Sequence, residues 1–447
     1  MAMTPEQDFV MKTIKGRDVH FVRFWFTDVL GNMKSFAVSP SEIGGAFSDG
    51  MGFDASCIAG FSPTEASDML AFPDPTTFQV LPWRPESNAV ARMFCDIRQP
   101  NGQAFEGDPR HVLRNMVKKA ADMGFIYNVG PELEYYYFKD PTGTEVLAHG
   151  GYFDLTSLDS ASDLRRDTVL SLESMGIPIE YSHHENGPSQ HEIDLRYTDA
   201  LAMADAVMTY RLVVKEIAVK HGVYASFMPK PLQDAPGNGM HVHQSLSDMD
   251  GNNLFFDPSD PQGYNLSALA KQFLAGIMKY APEFCLITNQ YVNSYKRLIA
   301  QDEAPAFLSW GQNNRSAMVR IPGYRPNRED ACRIELRLPD PAANPYLVFS
   351  AMLAAGLAGI EEELVPPDPI ESLNLFEHSE SCLASRGLQK LPEDLGEAIE
   401  LFEGSELMRE TLGEHIHSFL VKEKKAEWAA YLSNVSQWEL DRYLAVL

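Results

Sequence analysis

The stretch Pro131-Glu132-Leu133-Glu134-Tyr135-Tyr136-Tyr137-Phe138 combines β-forming aromatic residues with two acidic residues two positions apart. It predicts a β-strand. Side chains two apart on a strand project from the same face, so we expect Glu132 and Glu134 to point together. Acidic residues are depleted from strands, and two of them on one face indicate a ligand.

Three further stretches repeat this spacing, namely Gln190 to Tyr197, Gly239 to Leu246 and Cys332 to Pro339. On one face each they carry Glu192 with Asp194 and Arg196, His241 with His243 and Ser245, and Arg333 with Glu335 and Arg337. A solvent-facing surface is the ordinary explanation of any single pair. Together with Glu185, the four pairs favour one shared site for a hard divalent cation such as magnesium or manganese. We assign His183 and His184 a structural role by default.

Composition limits the possible partners. The chain has 447 residues, 45% of them hydrophobic, which predicts one large globular domain and a smaller one. Its net charge of −25 repels nucleic acid and anionic membranes. Against this acidic background, seven arginines gather in one segment and predict a phosphate-bearing substrate: Arg297, Arg315, Arg320, Arg325, Arg328, Arg333 and Arg337.

Targeting signals and cysteine pairs are not evident. The five cysteines are widely spaced and odd in number, which fits a reducing cytoplasm. Met1 to Asp8 lacks the pattern of a secretory signal. The most apolar stretch, Tyr346 to Ile360, is shorter than the roughly 20 residues of a membrane span. We therefore expect a cytoplasmic location, no membrane partner, and a buried helix at this stretch.

The order of patterns predicts an α+β fold. Residues 19 to 38 alternate around Leu30-Gly31-Asn32, which is typical of a hairpin. The Pro/Gly-rich run from Arg98 to Pro109 predicts a boundary near residue 106, giving domains 1–106 and 107–447. Beyond it, amphipathic helices such as Asp199 to His221 and Leu266 to Tyr280 alternate with the strands above.

Six motifs, taken in order, resemble glutamine synthetase of the bacterial type I form. They are Pro131 to Glu134, His183-His184-Glu185 with Gln190-His191-Glu192, Gly239 to His243, Asn293 to Arg297, Asn314-Arg315-Ser316, and Arg333 to Arg337 followed by Pro339 to Pro345. The resemblance covers nearly the whole chain. It implies a small N-terminal β-grasp-like domain and a large catalytic domain with a curved antiparallel sheet flanked by helices. It also implies a homo-dodecamer of two hexameric rings, with sites between subunits.

The resemblance implies an activity and assigns residues to it. The activity is ATP-dependent ligation of ammonia to the γ-carboxylate of glutamate through a γ-glutamyl phosphate, with two or more Mg²⁺ or Mn²⁺ ions per site. One ion would be held by Glu134, Glu185 and Glu192, and a second by Glu132, His241 and Glu335. Glutamate would contact Glu134, Gly237, Arg297 and Arg337, and ATP would contact Tyr197, His243, Ser245, Arg315, Arg320 and Arg333. Asp54, Cys57, Tyr152, Glu185 and Glu303 would form the ammonium pocket, and Asp54, Glu303 and Arg315 would be catalytic.

These residue types suit the chemistry. A carboxylate attacking a triphosphate brings two anions together, so cations and arginines must offset their repulsion. The acyl phosphate must be covered from water, a role for Glu303, and ammonium must lose a proton, a role for Asp54 and Glu303. A metal-dependent hydrolase would not explain the arginine series.

Departures from the family pattern lie at the amine end. They are Ala55, Cys57, Ala59, Asn186-Gly187 and Pro236. They leave open an alternative activity, γ-glutamyl ligation of an organic amine such as methylamine, ethanolamine or a polyamine. A catalytically idle relative with a regulatory binding role is a further alternative, but every expected metal ligand is present. Phe376 stands where some type I enzymes carry an adenylylated tyrosine, which favours an alpha-like, non-adenylylated form. Ser62-Pro63 replaces the arginine-bearing segment used for glutamine feedback, which argues against feedback control.

Overall fold

A computed structural model gives the fold of the chain. The structure describes residues 3–61, 67–155, 159–299, 304–371, 373–378 and 380–447. Glu303, expected to cover the site, lies outside these residues, as does Ser62-Pro63. The roles assigned to them stay predictions.

The N-terminal part is built on a mixed sheet. Its elements are α1 Pro5–Gly16, β1 Val19–Thr27, β2 Met33–Val38, α2 Ile43–Asp49, β3 Met51–Asp54, β4 Asp68–Pro73, β5 Gln79–Val80 and β6 Ala89–Arg98. Among the described residues the strand order is β2-β1-β6-β4-β3, with β5 also on β6. The hairpin expected around Gly31 is confirmed, because β1 and β2 pair antiparallel from Val22–Val38 to Thr27–Met33. The central pair β1–β6 is parallel.

The C-terminal part carries a larger sheet and most of the helices. Its strands are β7 Ile126–Phe138, β8 Ile179–His184, β9 Gln190–Leu195, β10 Thr198–Asp199, β11 Tyr224–Ser226, β12 Met240–Ser247, β13 Trp310–Gly311, β14 Val319–Arg320 and β15 Ile334–Leu336. Its helices are α3 Pro109–Asp122, α4 Ser162–Ser174, α5 Ala200–Lys220, α6 Ala268–Thr288, α7 Val292–Ile299, α8 Pro345–Glu361, α9 Glu380–Ser385, α10 Leu395–Glu403, α11 Glu406–Leu432 and α12 Gln437–Tyr443.

The large sheet runs β13-β14-β15-β12-β7-β9-β8 in the part of the chain that the structure describes, with β10 and β11 also on β7. Its pairs are antiparallel except β13 with β14. Apolar helices cover the sheet: α6 packs on α8, and α5 contacts β7. The stretch expected to be a buried helix is α8, whose residues from Pro345 to Gly359 are all buried. None of the helices in the described ranges is both long and apolar enough to span a bilayer.

The predicted elements differ from the observed ones mainly at their ends. β7 begins five residues before Pro131, and the helix expected to end at Tyr280 continues as α6 to Thr288, past Pro282. The hydrophobic core of the large sheet also includes Trp25 and Phe94 from the N-terminal sheet. The two parts therefore share packing, and the division at residue 106 stays a prediction.

Candidate metal and nucleotide site

Strand register brings the acidic residues together on one face of the large sheet. On β7, Glu132 lies opposite Asp194 and Glu134 opposite Glu192, both on β9. On the other side of β7, Glu132 lies opposite His241 of β12. Residues directly opposite on neighbouring strands have side chains about 5 Å apart on the same face. The four predicted strands therefore do converge.

The first cluster joins β7, β12 and β15. His243 Nε2 is 2.7 Å from Glu132 Oε1, and His241 Nδ1 is 3.5 Å from Glu132 Oε2 and 4.0 Å from Glu335 Oε1. Side-chain atoms of Glu132, His243 and Glu335 lie close enough together to share one ion. His241 and His243 both face this cluster, although only His241 was predicted as a ligand.

Two arginines hold Glu335 in place. Arg320 Nη1 donates to one carboxylate oxygen at 2.6 Å, and Arg337 Nη1 donates to the other at 2.7 Å. Burial alone would raise the pKa of Glu335, but the charges of His243 and Arg337 outweigh it and lower the pKa to about 2. Glu335 is therefore an anion at any physiological pH, as a metal ligand must be.

The second cluster joins β8, β9 and the residue after β8. His183 Nε2 is 2.8 Å from Glu185 Oε1 and 3.9 Å from Glu192 Oε2. We assigned His183 a structural role from the sequence and did not predict its contact with Glu185. His183 is two positions from Glu185, so the spacing rule applied to the other strands could have found it. Glu134 lies beside this group, and its Oε2 accepts from the Gly239 backbone N–H at 2.8 Å.

Negative charge is crowded between the two clusters. Burial and then the negative charge of Asp194 raise the pKa of Glu192 well above its usual value. Burial is also the main cause that raises the pKa of Asp194 to about 6. Within the described residues, neither carboxylate oxygen of Asp194 has a hydrogen-bond partner. Buried carboxylates crowded in this way must be neutralised by protons or by bound cations, and their oxygen donors fit Mg²⁺ or Mn²⁺.

Two histidines, His184 and His191, lie behind the second cluster, and burial lowers the pKa of His191 well below its usual value. Arg165 pairs with Asp159 at 2.6 Å and donates from Nη1 to His191 Nδ1 at 2.8 Å. The proton of the neutral His191 ring must then be on Nε2. His184 donates from Nδ1 to the Glu185 carbonyl at 2.7 Å. This layer holds the backbone at Glu185, and no sequence pattern had indicated Arg165.

The predicted ATP residues line a cleft beside the first cluster. We name the two clusters together the acidic cage. The cleft has a volume of about 570 Å³, and its walls include Tyr197, His243, Ser245 and Arg333, with Glu132 at the end that meets the cage. Arg333 Nε donates to His243 Nδ1 at 3.0 Å, so the two side chains are held together. Arg315 and Arg320 are not among the described residues that line the cleft.

A smaller pocket joins the cage to the predicted glutamate residues Glu134, Gly237 and Arg297. Arg297 is buried and donates to the carbonyls of Leu338 at 2.8 Å and Arg337 at 3.0 Å. A side chain at Gly237 would come within 2.8 Å of Arg297 Cγ, so only glycine allows this approach.

The lining of this pocket also differs from the family pattern. Its walls include Asn186 and Pro236, two of the departures identified in the sequence. Arg337 was predicted to contact glutamate, but it is not among the described residues that line the pocket.

The residues predicted for the ammonium pocket lie in separate parts of the structure. Tyr152 packs against Phe153 with the rings tilted and their centroids 4.1 Å apart, and its ring meets that of His183 edge to face. Asp54 is at the end of β3, where it is exposed and its Oδ1 accepts from the Ser56 N–H at 2.8 Å. No hydrogen bond or ion pair within the described residues joins Asp54 or Cys57 to Tyr152 or Glu185.

A cation cage opening onto an arginine-bearing cleft is what a ligase that consumes a nucleoside triphosphate requires. Comparisons with known proteins agree. The glutamine synthetase catalytic domain family matches residues 106–443, and the glutamine synthetase beta-grasp domain family matches residues 18–100. A protein named glutamine synthetase from Mycolicibacterium smegmatis is 48% identical, covering 99% of this chain and 100% of its own. One of the same name from Methanosarcina mazei is 49% identical, covering 99% and 98%.

The chain therefore belongs to the glutamine synthetase family. A solved structure titled "GmaS/ADP complex-Conformation 1" superposes with a TM-score of 0.88 at 31% identity, covering 98% of this chain and 99% of its own. Another, "Apo GmaS without ligand", gives 0.86 at 32%, covering 97% and 99%. The predicted fold class and the predicted activity, ATP-dependent formation of glutamine by a glutamate–ammonia ligase, are confirmed.

Proposed function

We propose that the two acidic clusters hold at least two divalent cations, Mg²⁺ or Mn²⁺, and that ATP occupies the adjoining cleft. Glu134, Glu185 and Glu192 bind one ion, and Glu132, His241 and Glu335 bind the other. The observation that carries this proposal is the crowding of buried carboxylates, with the pKa of Glu192 raised by burial and by its acidic neighbours. The bound cations supply positive charge against the phosphates and the substrate carboxylate.

In the first step, the arginines and the glutamate pocket hold the two substrates in position. A γ-carboxylate oxygen of glutamate attacks the γ-phosphorus of ATP, the bond to ADP breaks, and γ-glutamyl phosphate forms. Arg297 and Arg337 orient glutamate, while Arg315 offsets charge on the phosphoryl group in transfer. Support comes from the buried Arg297, whose contacts fix its guanidinium at the pocket wall.

The second step consumes the amine. Asp54 and Glu303 are the proton acceptors: one takes a proton from ammonium, the nitrogen attacks the acyl carbon, phosphate leaves with its bonding electrons, and the other takes the second proton that the nitrogen loses as the amide forms. Within the described residues, Asp54 makes no hydrogen bond or ion pair with the cage of its own chain, which supports a site completed by a neighbouring subunit. We propose the dodecamer of two hexameric rings on this ground and on the family resemblance, and a cytoplasmic location.

Mixing two inactive variants tests the shared site. Asp54→Ala and Glu335→Ala are each expected to be inactive, because each lacks one half of every site. In a randomly reassembled ring, about a quarter of the sites join two intact halves, so activity should return to that level. Reassembled Asp54→Ala alone is the control. No recovery on mixing would contradict the shared site.

The alternative substrate is an organic amine, and one observation favours it. Asn186 and Pro236, which depart from the family pattern, both line the pocket beside the cage. Phosphate release is compared with ammonia, methylamine, ethanolamine and a polyamine. We expect ammonia to give the highest kcat/KM. Turnover with an organic amine and none with ammonia would reverse the assignment.

A further inference from the structure

A further cavity, of about 470 Å³, shares no lining residue with the nucleotide cleft or the glutamate pocket. We name it the α5 cavity, because Arg211 and Lys215 of α5 form one wall. The opposite walls are the segment after β11, the start of α7 and the segment at Pro341. Its volume lies within the range of about 300–1,000 Å³ typical of small-molecule sites.

Two positive charges face this cavity without an acidic partner. Arg211 donates only to neutral acceptors, including the carbonyls of Pro341 at 3.1 Å, Ala343 at 3.0 Å and Gly31 at 2.7 Å. The amine of Lys215 is 5.7 Å from the centre of the Phe227 ring. No ion pair within the described ranges involves either cation.

The two cations also act on each other. The pKa of Lys215 is lowered, chiefly because the surrounding protein desolvates its amine and secondly because Arg211 is close. The acidic residue on the far wall, Glu427, is already paired with the buried Lys424 at 2.8 Å. Asp340 and Asp28 are close enough to act on Arg211, but neither lines the cavity, whose lining has two cations against the one paired carboxylate of Glu427. An anion bound between Arg211 and Lys215 would relieve their repulsion.

The walls of the α5 cavity connect to the glutamate pocket. The Asn238 N–H donates to the Pro229 carbonyl at 2.7 Å, and the Asn238 side chain donates to the Met228 carbonyl at 2.8 Å. Asn238 lies between the two glycines of the pocket loop. Asn293 lines the cavity at the start of α7, the helix that carries Arg297.

We propose that the α5 cavity binds a small anion bearing a carboxylate or phosphate group between Arg211 and Lys215, and that its occupancy is coupled to glutamate binding. The coupling, but not the anion site, rests on the function proposed above. Binding at the two places is then reciprocal, since each ligand changes the affinity for the other by the same factor.

Selective acetylation of lysines tests the anion site on the full chain. Lys215 and Lys220 are both exposed on α5, but only Lys215 lines the cavity, so Lys220 is the matched control. The probes are glutarate and inorganic phosphate, with sodium chloride at equal ionic strength. At about ten times the Kd of a probe, acetylation of Lys215 should slow about tenfold by mass action. Protection by only one probe assigns the preferred group.

Equal protection of both lysines, or none with either probe, would overturn the site. The coupling is tested by the KM for glutamate, which a bound probe should shift about fivefold. Lys215→Met should abolish that shift, whereas Lys220→Met should keep it. A missing shift, or one that survives in Lys215→Met, would overturn the coupling. Turnover with ammonia, measured in the absence of any probe, tests the proposed function separately. Lys215→Met should leave this turnover unchanged.

Discussion

The acidic cage on the large sheet and the segment that carries Asp54 at the end of β3 differ in how many of their predicted partners lie in the same chain. The predicted metal ligands of the cage come together within one chain, because strand register places Glu132, Glu134 and Glu192 on one face. The segment holds Asp54 by a local hydrogen bond from Ser56, and Asp54 makes no hydrogen bond or ion pair with that cage in the described residues. We therefore propose that nucleotide chemistry is preorganised in the subunit and that amine chemistry depends on assembly.

The largest expected effect is at the cage. Glu335→Ala removes a predicted metal ligand and leaves Arg320 and Arg337 without the carboxylate they share. Turnover should fall on the order of 10³-fold or more, since charge stabilisation in the transition state is lost. Steady-state phosphate release measures it. Glu329→Ala, at an exposed residue of the same segment, is the control. Full activity in Glu335→Ala would refute the assignment.

A smaller effect is expected at Asp54. Asp54→Asn keeps the shape but removes the proton acceptor, so turnover with ammonia should drop by about 10²-fold at neutral pH. The deficit should narrow as pH rises, because more ammonia is then already deprotonated. A pH profile of kcat/KM for ammonia measures it, with Asp49→Asn as the exposed control. A deficit independent of pH would argue against proton transfer by Asp54.

The layer behind the cage should have a more moderate effect. Arg165→Met leaves Asp159 buried without its partner and frees His191 to change tautomer. Partners that orient metal ligands typically contribute about 10–100-fold to metal affinity, and we expect a loss of that size. Manganese titration calorimetry measures it, with the exposed neighbour Arg166→Met as the control. An unchanged affinity for Mn²⁺ in a folded Arg165→Met variant would show that Arg165 and His191 do not support the metal ligands.

The smallest effect on turnover should come from the junction of the two sheets. Arg110 on α3 is buried and joins Asp74 of the N-terminal part, at 2.8 Å, to Asp205 of α5 at 2.9 Å. Arg110→Met should cost about 3–5 kcal/mol of unfolding free energy by leaving buried carboxylates unpaired. Arg114→Met on the same helix, with a half-exposed side chain, should cost about 1 kcal/mol or less. Denaturant unfolding compares them, and equal costs would contradict the buried role.

The same junction gives a pH dependence. Burial would raise the pKa of Asp74, but the Arg110 charge and the hydrogen bonds from Thr76 and Arg110 together outweigh it and lower the pKa. The stability that this pair contributes is present above the unfolded pKa of about 3.9 and is lost as pH falls below it. Arg110→Met should therefore lose less stability than the wild type on acidification. An equal loss would show that the pair does not titrate in this way.

The sequence predicted the site best where two-residue spacing on a strand could be used. Two-residue spacing placed Glu132 with Glu134 and His241 with His243 on one face, and the motifs identified the family. The same rule applied to His183 would have added it to the cage. Arg165 carries no such signal, because it reaches the site from a helix remote in sequence, through tertiary packing. Asp54 is a third case, since its proposed partners belong to another copy of the chain.

The measurement closest to the central claim is a calorimetric titration of the metal-free chain with Mn²⁺. The account predicts at least two ions per subunit, and it predicts that Glu335→Ala and Glu192→Ala each lose one of them. In a second titration, a non-hydrolysable ATP analogue should bind more weakly to Glu335→Ala than to the wild-type chain. No uptake of Mn²⁺ by the wild-type chain, or an unchanged stoichiometry in both variants, would contradict the claim that these carboxylates form a two-cation site.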